Sequence, residues 1–267
     1  MDNLEIFIDK VHLTLTNFRN KGLLVYSWKE PASEPCVESM YDTFYKDPTS
    51  DDPERLQRLL HYRREFPLLW ETGNDPETRK NFLKWIVCNW GGINNIKDDT
   101  LYQYIPDLPI ESYSTSNYLK THTSSFSKCL AFIHPKICYV YDSRVALALN
   151  CLSHIHNLQD SIVFKQTSSK SYYTTEVSRI INKKVSRRTK RIDYFGYCQI
   201  VRRLAGLDEN NDENYIKAHK FEAELFMLGG WIRDQMKPLI PPNDKDKKIK
   251  LDEPTYNVLD KHLRYLF

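Results

Sequence analysis

The sequence lacks several features that would assign it to a well-defined class of protein. It has no apolar run of the roughly 18 residues that a membrane-spanning helix needs. Its first ten residues include Asp2, Glu5 and Asp9, where a secretory signal would be positively charged. It also has no internal repeat and no C-x-x-C pair. We therefore expect an intracellular protein, cytoplasmic or associated with the nucleoid, that has no membrane partner.

The sequence also lacks the residue groupings that bind metals. Its six cysteines lie far apart, mostly among hydrophobic neighbours, and none stands in a zinc-finger spacing with histidine. We predict that they are reduced and buried. No clustered set of Asp, Glu and His of the kind that divalent metals need is visible. This argues against a metal-dependent nuclease or other phosphodiesterase, and we expect neither a metal nor a cofactor.

The net charge of +3 is small, but the charges are unevenly distributed along the chain. Residues 31–77 carry eleven acidic and five basic side chains, whereas residues 161–205 carry eleven basic and two acidic ones. A local positive excess of this kind suits a polyanion, although a solvated loop is the alternative. The candidate DNA contacts in this tract are Lys183, Lys184, Arg187, Arg188 and Arg191.

Hydrophobic periodicity and helix-capping signals predict a mainly α protein. We expect one monomeric domain over residues 1–267, since this length is at the upper end of what one domain usually holds. Residues 31–54 are predicted to be an irregular loop or accessory segment, and residues 165–191 a basic insert. The predicted helices span residues 4–18, 54–64, 77–90, 100–104, 114–119, 127–133, 143–152, 194–204 and 214–236.

The most informative segment runs from residue 123 to residue 150. Lys128 is predicted to begin an apolar helix after a serine-rich turn, and Asp142 to cap a second one after the extended run 137–141. We expect the short connection to bring the N-terminal ends of the two helices close together. A lysine against an apolar wall loses hydration, which lowers its pKa and makes its amine nucleophilic. An aspartate at a helix N-terminus stays ionised and can stabilise a cationic sugar.

Each of these residues also has a purely structural interpretation. Lys128 could be a solvated side chain on a short surface helix, and Asp142 could be only an N-cap, the commonest reason for Asp before a helix. Arg144 could pair with Asp142 or another carboxylate, or it could contact a phosphate. The residues alone leave these alternatives open.

The same segment resembles the catalytic region of the helix-hairpin-helix DNA glycosylase superfamily, especially the 8-oxoguanine DNA glycosylase fold. The resemblance implies a helical glycosylase-like domain that cleaves the N-glycosidic bond of a damaged or modified base. It also implies that Lys128 attacks the anomeric carbon of the sugar, with Schiff-base lyase chemistry available, and that Asp142 assists departure of the base. The residues follow the family's order of lysine-led helix, proline-bearing loop and aspartate-led helix: Lys128-Cys-Leu-Ala, Ile133-His-Pro135 and Val140-Tyr-Asp142-Ser-Arg144-Val145.

The segment departs from the family pattern in two places. The interval between the lysine and the aspartate is several residues shorter, and residues 122–127 replace the family's glycine-rich hairpin. Serine hydroxyls and amides would then contact phosphate in place of the glycines, which makes Ser125 and Ser127 candidate contacts with double-stranded DNA. Such a protein could serve ordinary repair or act against modified bases in foreign DNA, including phage DNA. The alternative from another class is a non-catalytic DNA-binding protein, in which Lys128 contacts phosphate and Asp142 only caps.

Overall fold

The structure is a computed structural model that describes residues 2–24, 52–73, 75–93, 96–107, 118–169, 171–183, 185, 189, 191–207, 215–240 and 253–267. Within this part of the chain, regular structure is almost entirely helical, which confirms the predicted mainly α class. The described strands are β1 (Val163–Phe164) and β2 (Arg191–Ile192), which pair in parallel.

The described residues form two compact units. The first unit comprises the described parts of residues 1–24, 142–204 and 222–267, and the second those of residues 25–141 and 205–221. The expectation of a single domain stays a prediction. In chain order, the α-helices are α1 (Asn3–Asn20), α2 (Asp52–Thr72), α3 (Pro76–Lys84), α4 (Asp98–Tyr104), α5 (Tyr118–Thr121), α6 (Thr123–Ile133), α7 (Ser143–Ile155), α8 (Tyr172–Asn182), α9 (Tyr194–Leu204), α10 (Tyr215–Met236) and α11 (Glu253–Tyr265). A π-helix spans Trp85–Trp90, and 3-10 turns span Ile105–Asp107 and Lys237–Leu239.

The core of the first unit is built around α7. Its residues 145–154 are all buried, because apolar side chains cover most of its circumference. Helices α1 and α8 pack against it, and Phe7 of α1 contacts Phe164 of β1 with ring centroids 5.5 Å apart. The amide of Asn150 donates to the carbonyl of Phe164 at 3.1 Å and accepts from its N–H at 2.8 Å. This buried pair of hydrogen bonds holds β1 on α7.

The core of the second unit is an aromatic cluster contributed by α2, the π-helix and α6. The ring centroid of Phe132 lies 4.9 Å from that of Trp90, 5.5 Å from that of Phe66 and 6.0 Å from that of Trp85. All three pairs are edge-to-face, an arrangement that stabilises each pair by roughly 0.5–1.5 kcal/mol beyond its buried area. The cluster therefore fixes α6, which carries Lys128, against the π-helix.

Helix α6 differs from its prediction in where it begins. It begins at Thr123 rather than at Ser127, so the prediction that Lys128 begins the helix is wrong and Lys128 lies within it. The serine-rich run predicts a turn, but in the structure the hydroxyls of Ser125 and Ser127 donate to backbone carbonyls three residues earlier. Ser125 Oγ, for example, donates to the carbonyl of His122 at 3.1 Å. Serines satisfied in this way are compatible with a helix interior.

Helix α2 also exceeds its predicted length. It continues to Thr72 instead of ending at residue 64, because Phe66 and Trp70 extend its buried face past Pro67. The helix begins at Asp52, within two residues of the predicted start at residue 54, so residues 52–54 of the predicted irregular segment belong to α2. Residues 31–51 of that predicted segment lie outside the described residues.

The predicted connection over residues 137–141 is irregular and mostly buried, between α6 and α7. Two further differences concern segments of mixed composition. The predicted basic insert contains α8, whose residues Val177, Ile180 and Ile181 are buried and which packs against α7. The C-terminal helix α11 was missed altogether, because its charged residues hide the spacing of its buried residues Tyr256, Leu259 and Leu263. Helices α1, α7, α9 and α10 are confirmed, with ends that differ by at most three residues.

Gly229 allows the backbones of α10 and α7 to approach closely within the first unit. A Cβ atom added at Gly229 would lie 2.1 Å from the carbonyl oxygen of Arg144. At the next residue, Gly230, the nearest atom to an added Cβ is Cδ of Arg144 at 4.0 Å. Both glycines lie within α10, but an added Cβ atom would clash with a neighbouring helix only at Gly229.

We predict opposite effects of alanine at these two positions. Gly229→Ala should lower the free energy of unfolding by about 1–3 kcal/mol, because the helices must move apart. Gly230→Ala should raise it by up to about 1 kcal/mol, because alanine is the better helix former. Urea unfolding followed by circular dichroism measures both, and equal stabilities would contradict the close backbone contact.

Candidate active site

Lys128 occupies the middle of α6 and is almost completely buried. The residue is 4% exposed, and its Nζ donates hydrogen bonds to the carbonyl oxygen of Ser124 at 3.0 Å and to the hydroxyl of Ser124 at 3.1 Å. The side chain thus turns back toward the N-terminal end of the helix instead of extending into solvent. The alternative that Lys128 is a solvated surface residue is therefore wrong.

Gly91 makes room for the methylene chain of Lys128. It follows the π-helix directly, and a Cβ atom added there would lie 2.8 Å from Cδ of Lys128. The next residue, Gly92, has a φ of +66°, a conformation that glycine adopts at little cost. The predicted helix end at residue 90 is confirmed, since the π-helix ends at Trp90. Gly91 lies beside Lys128, next to a π-helix, a rare element that is frequent at functional sites.

Two other ionisable groups lie on or against α6. Burial raises the pKa of the Cys129 thiol well above its ordinary value, so this thiol stays protonated at neutral pH. Burial also raises the pKa of Tyr104, whose hydroxyl lies 2.8 Å from Oγ of Ser125. Both groups are therefore uncharged at neutral pH.

Lys80 provides a contrast to Lys128 within the same unit. It is 9% exposed, but its Nζ donates to the carboxylate of Glu77 at 2.5 Å. This hydrogen bond raises the pKa of Lys80, because the ammonium form is the one that the carboxylate stabilises. Lys80 is therefore a structural ion-pair partner, whereas both contacts of Lys128 with Ser124 are to uncharged atoms.

Asp142 is the N-cap of α7, as predicted. Its Oδ1 accepts hydrogen bonds from the backbone N–H of Arg144 at 2.8 Å and of Val145 at 3.1 Å, and the residue is 8% exposed. These bonds and the positive end of the helix dipole stabilise its negative charge. Both bonds end on Oδ1, so the cap does not use Oδ2. The carboxylate can therefore cap α7 and still offer an oxygen to another positively charged group.

Arg144 lies in the first turn of α7 and is half-buried. The Cζ atom of its guanidinium lies 4.0 Å from the ring centroid of Phe226, which is a cation–π contact. Its backbone N–H, rather than its side chain, makes the hydrogen bond to Asp142. The contact of Arg144 with phosphate stays a prediction.

Ser125 and Ser127 are buried hydrogen-bonding residues of the second unit. Ser127 is 0% exposed, and its hydroxyl accepts from the N–H of Tyr141 at 3.0 Å and lies 3.3 Å from the carbonyl oxygen of the same residue. The hydroxyl of Ser125 is engaged by Tyr104 and by the backbone of α6. Both hydroxyls therefore have structural roles, and their contacts with DNA stay predictions.

The basic candidates of residues 165–191 belong to the first unit where they are described. Lys183 forms an ion pair with Glu253 of α11 at 2.7 Å and lies over the ring of Tyr256, with its Nζ 4.2 Å from the centroid. It therefore ties the end of α8 to α11. Arg191 is exposed on β2, where its guanidinium is accessible to a phosphate. The remaining candidates, Lys184, Arg187 and Arg188, lie outside the described residues.

The described candidates divide between the two units. The second unit contains Ser125, Ser127 and Lys128, and the first contains Asp142, Arg144, Lys183 and Arg191. The closeness of Lys128 and Asp142 stays a prediction. Ser124 is not among the predicted site residues, although its position four residues before Lys128 places it on the same face of a helix.

Comparisons with known proteins assign no family to the chain. No family model, no curated protein and no solved structure matches it. In the described parts of the sequence, no helix combines the length and apolar character needed to cross a membrane. Nor do three or more His, Cys, Asp or Glu residues group there as a possible metal site. The five cysteines described are free thiols, four of them buried, as expected for reduced cysteines.

We predict that the hydroxyl of Ser127 stabilises the second unit. Ser127→Ala should lower the free energy of unfolding by about 1–3 kcal/mol, because the buried N–H of Tyr141 loses its acceptor. The matched control is Thr175→Ala, which removes an exposed hydroxyl bonded to a carbonyl of its own helix and should change stability by less than about 0.5 kcal/mol. Urea unfolding compares the two, and a Ser127→Ala variant as stable as its control would contradict this role.

Proposed function

We propose that this protein is a DNA glycosylase that excises a damaged or modified base from double-stranded DNA. The observation that carries the proposal is the buried amine of Lys128, held by two uncharged acceptors of Ser124 in the segment that resembles the glycosylase catalytic region. A surface lysine would need no such placement. The proposal includes a helix-hairpin-helix glycosylase-like fold, with which the mainly helical structure agrees.

In the proposed reaction, the neutral amine of Lys128 is the nucleophile. A bond forms from Nζ to C1′ of the sugar while the bond from C1′ to the base nitrogen breaks, and the base leaves with the electron pair and takes up a proton from solvent. The attached nitrogen loses a proton, and opening of the sugar ring gives an imine. This imine makes strand cleavage by a lyase step available. Burial supports the assignment, because an amine removed from water is more easily held neutral.

Asp142 is proposed to stabilise positive charge on the sugar. Departure of the base leaves an oxocarbenium-like carbon, and a nearby carboxylate lowers the energy of that state. The geometry of the cap supports this role, since both of its hydrogen bonds end on Oδ1 and Oδ2 stays outside the cap. No cofactor is needed for these steps.

The enzyme can reach the target base only if the base leaves the stack of the DNA duplex. This step costs a few kcal/mol, which protein contacts with the DNA backbone must offset. Arg191 and the basic residues outside the described part of the chain are the proposed phosphate contacts. The substrate base is one of two kinds, a damaged base of ordinary DNA or a modified base of foreign DNA.

The proposed role of Asp142 is tested on a panel of duplexes that contain damaged or hypermodified bases. Asp142→Asn keeps much of the cap but removes the negative charge, so release of the base should fall by orders of magnitude, while folding should change by at most about 1 kcal/mol. Mass spectrometry of the released base measures activity. Asp75→Asn alters the N-cap of α3 and is the matched control, with base release unchanged. Full activity of a folded Asp142→Asn variant would remove Asp142 from the mechanism.

Reductive trapping tests the role of Lys128. Borohydride added during turnover should reduce the imine and leave a covalent protein–DNA adduct, which Lys128→Gln should fail to form. Lys136→Gln, at an exposed lysine of the same unit, should trap as the wild type does. If the wild type releases base but no adduct forms, water is the nucleophile and Lys128 has another role.

The competing function is DNA binding without catalysis, which the capping role of Asp142 favours. It requires that the protein bind duplexes and release no base from any of them. If the protein binds DNA without releasing a base, Asp142→Asn should change DNA affinity hardly at all, because the N-cap of α7 is retained.

A further inference from the structure

The amide side chain of Gln166 lies beside the first turn of α7. Its Nε2 atom donates to the carbonyl oxygen of Ser143 at 3.5 Å, and Ser143 directly follows Asp142 in the chain. All three residues belong to the first unit. Gln166 therefore stands at the end of α7 where Asp142 caps the helix and where the proposed function places the sugar.

The amide oxygen of Gln166 is buried and has no hydrogen-bond partner within the described part of the chain. An amide oxygen removed from water is unfavourable unless a donor reaches it. Other amides of the same unit do have partners. Asn150 bonds to both backbone groups of Phe164, and Oε1 of Gln159 lies 2.5 Å from Nδ1 of His154. Gln166 thus differs from them in offering an acceptor to a ligand.

The orientation of the Gln166 amide follows from its contact with α7. Nε2 faces the carbonyl oxygen of Ser143, and an oxygen in its place would face another acceptor. Oε1 is therefore the end of the amide that a ligand meets. Nucleobases carry N–H and NH2 donors on their edges, and side-chain amides are among the groups that recognise those edges. An uncharged acceptor beside Asp142 accordingly suits the base that leaves the sugar.

We propose that Gln166 is a specificity-determining residue whose amide oxygen accepts a hydrogen bond from an N–H group of the target base. The inference rests on the proposed function, since it concerns the base that is excised at Asp142. It narrows the substrates to damaged or modified bases that keep an N–H or NH2 donor on the edge that reaches Gln166. A base with only acceptors on that edge should be a poor substrate, because the buried oxygen would stay unpaired.

The first test measures the stability of the free protein, which separates this role from a structural one. Gln166→Met replaces the amide by an apolar side chain of similar length, and its urea midpoint should stay unchanged or rise, because a buried acceptor without a partner is removed. Gln159→Met is the matched control, since it removes an acceptor that has a partner, and its urea midpoint should fall. If the midpoint of Gln166→Met falls as far as that of Gln159→Met, Gln166 is structural and the inference is overturned.

Base release supplies the second test, on a duplex from which the wild type excises a base. Gln166→Met should lower kcat/KM about ten- to a thousandfold, whereas Gln159→Met should keep the wild-type value at a temperature at which it is folded. Circular dichroism checks that each variant is folded.

Analogues of the released base identify the hydrogen bond itself. In each analogue, C–H replaces one N–H donor. The wild type should discriminate against one of them, and Gln166→Met should lose that discrimination, because the acceptor is gone. Undiminished discrimination by Gln166→Met would overturn the inference. If the wild type releases no base from any duplex, the proposed function fails, and the urea midpoints still decide whether the amide of Gln166 is structural or faces a ligand.

Discussion

The buried position of α6 imposes one constraint on which the candidate site depends: each polar side chain of this helix must find a hydrogen-bond partner away from water. The helix and its immediate neighbours supply these partners. The hydroxyl of Thr123 donates to the carbonyl of Leu119 at 2.6 Å, and that of Ser127 receives the N–H of Tyr141. The amine of Lys128 meets the same requirement, because it donates hydrogen bonds to the carbonyl and hydroxyl of Ser124.

This constraint fixes the position of the Lys128 amine. Its Nζ donates to the carbonyl and to the hydroxyl of Ser124 within the same helix. The aromatic cluster around Phe132 keeps α6 in place, so the amine is positioned by a rigid core rather than by a loop. The proposed role of Lys128 as a nucleophile depends on this placement.

The parts of this structure that the sequence predicts are those with local causes. The apolar segment of α7 and its cap at Asp142 follow from an aspartate directly before an apolar helix, whereas the pattern of α1 is mixed and is also compatible with a strand. The start of α6 was mistaken because serines favour turns when they are exposed, whereas here burial directs their hydroxyls into the helix.

Other features depend on partners that are distant in sequence. Arg63 of α2 is fully buried, with its guanidinium bonded to the ring of His219 and its Cζ 5.2 Å from the ring centroid of Phe132. Its sequence neighbours give no indication of either contact. Ser124 is the exception, because its spacing from Lys128 is local and a helix beginning at Thr123 would have indicated the contact.

The central claim is that Lys128 attacks the sugar of a target nucleotide, and the most direct measurement identifies the residue that carries the sugar after reduction. Wild-type protein is incubated with a cleavable modified duplex and borohydride, the adduct is digested with nuclease and protease, and tandem mass spectrometry locates the added mass. We predict that the reduced sugar is attached to Nζ of Lys128. A sugar attached to any other lysine or to the terminal amine, with Lys128 unmodified, would contradict it.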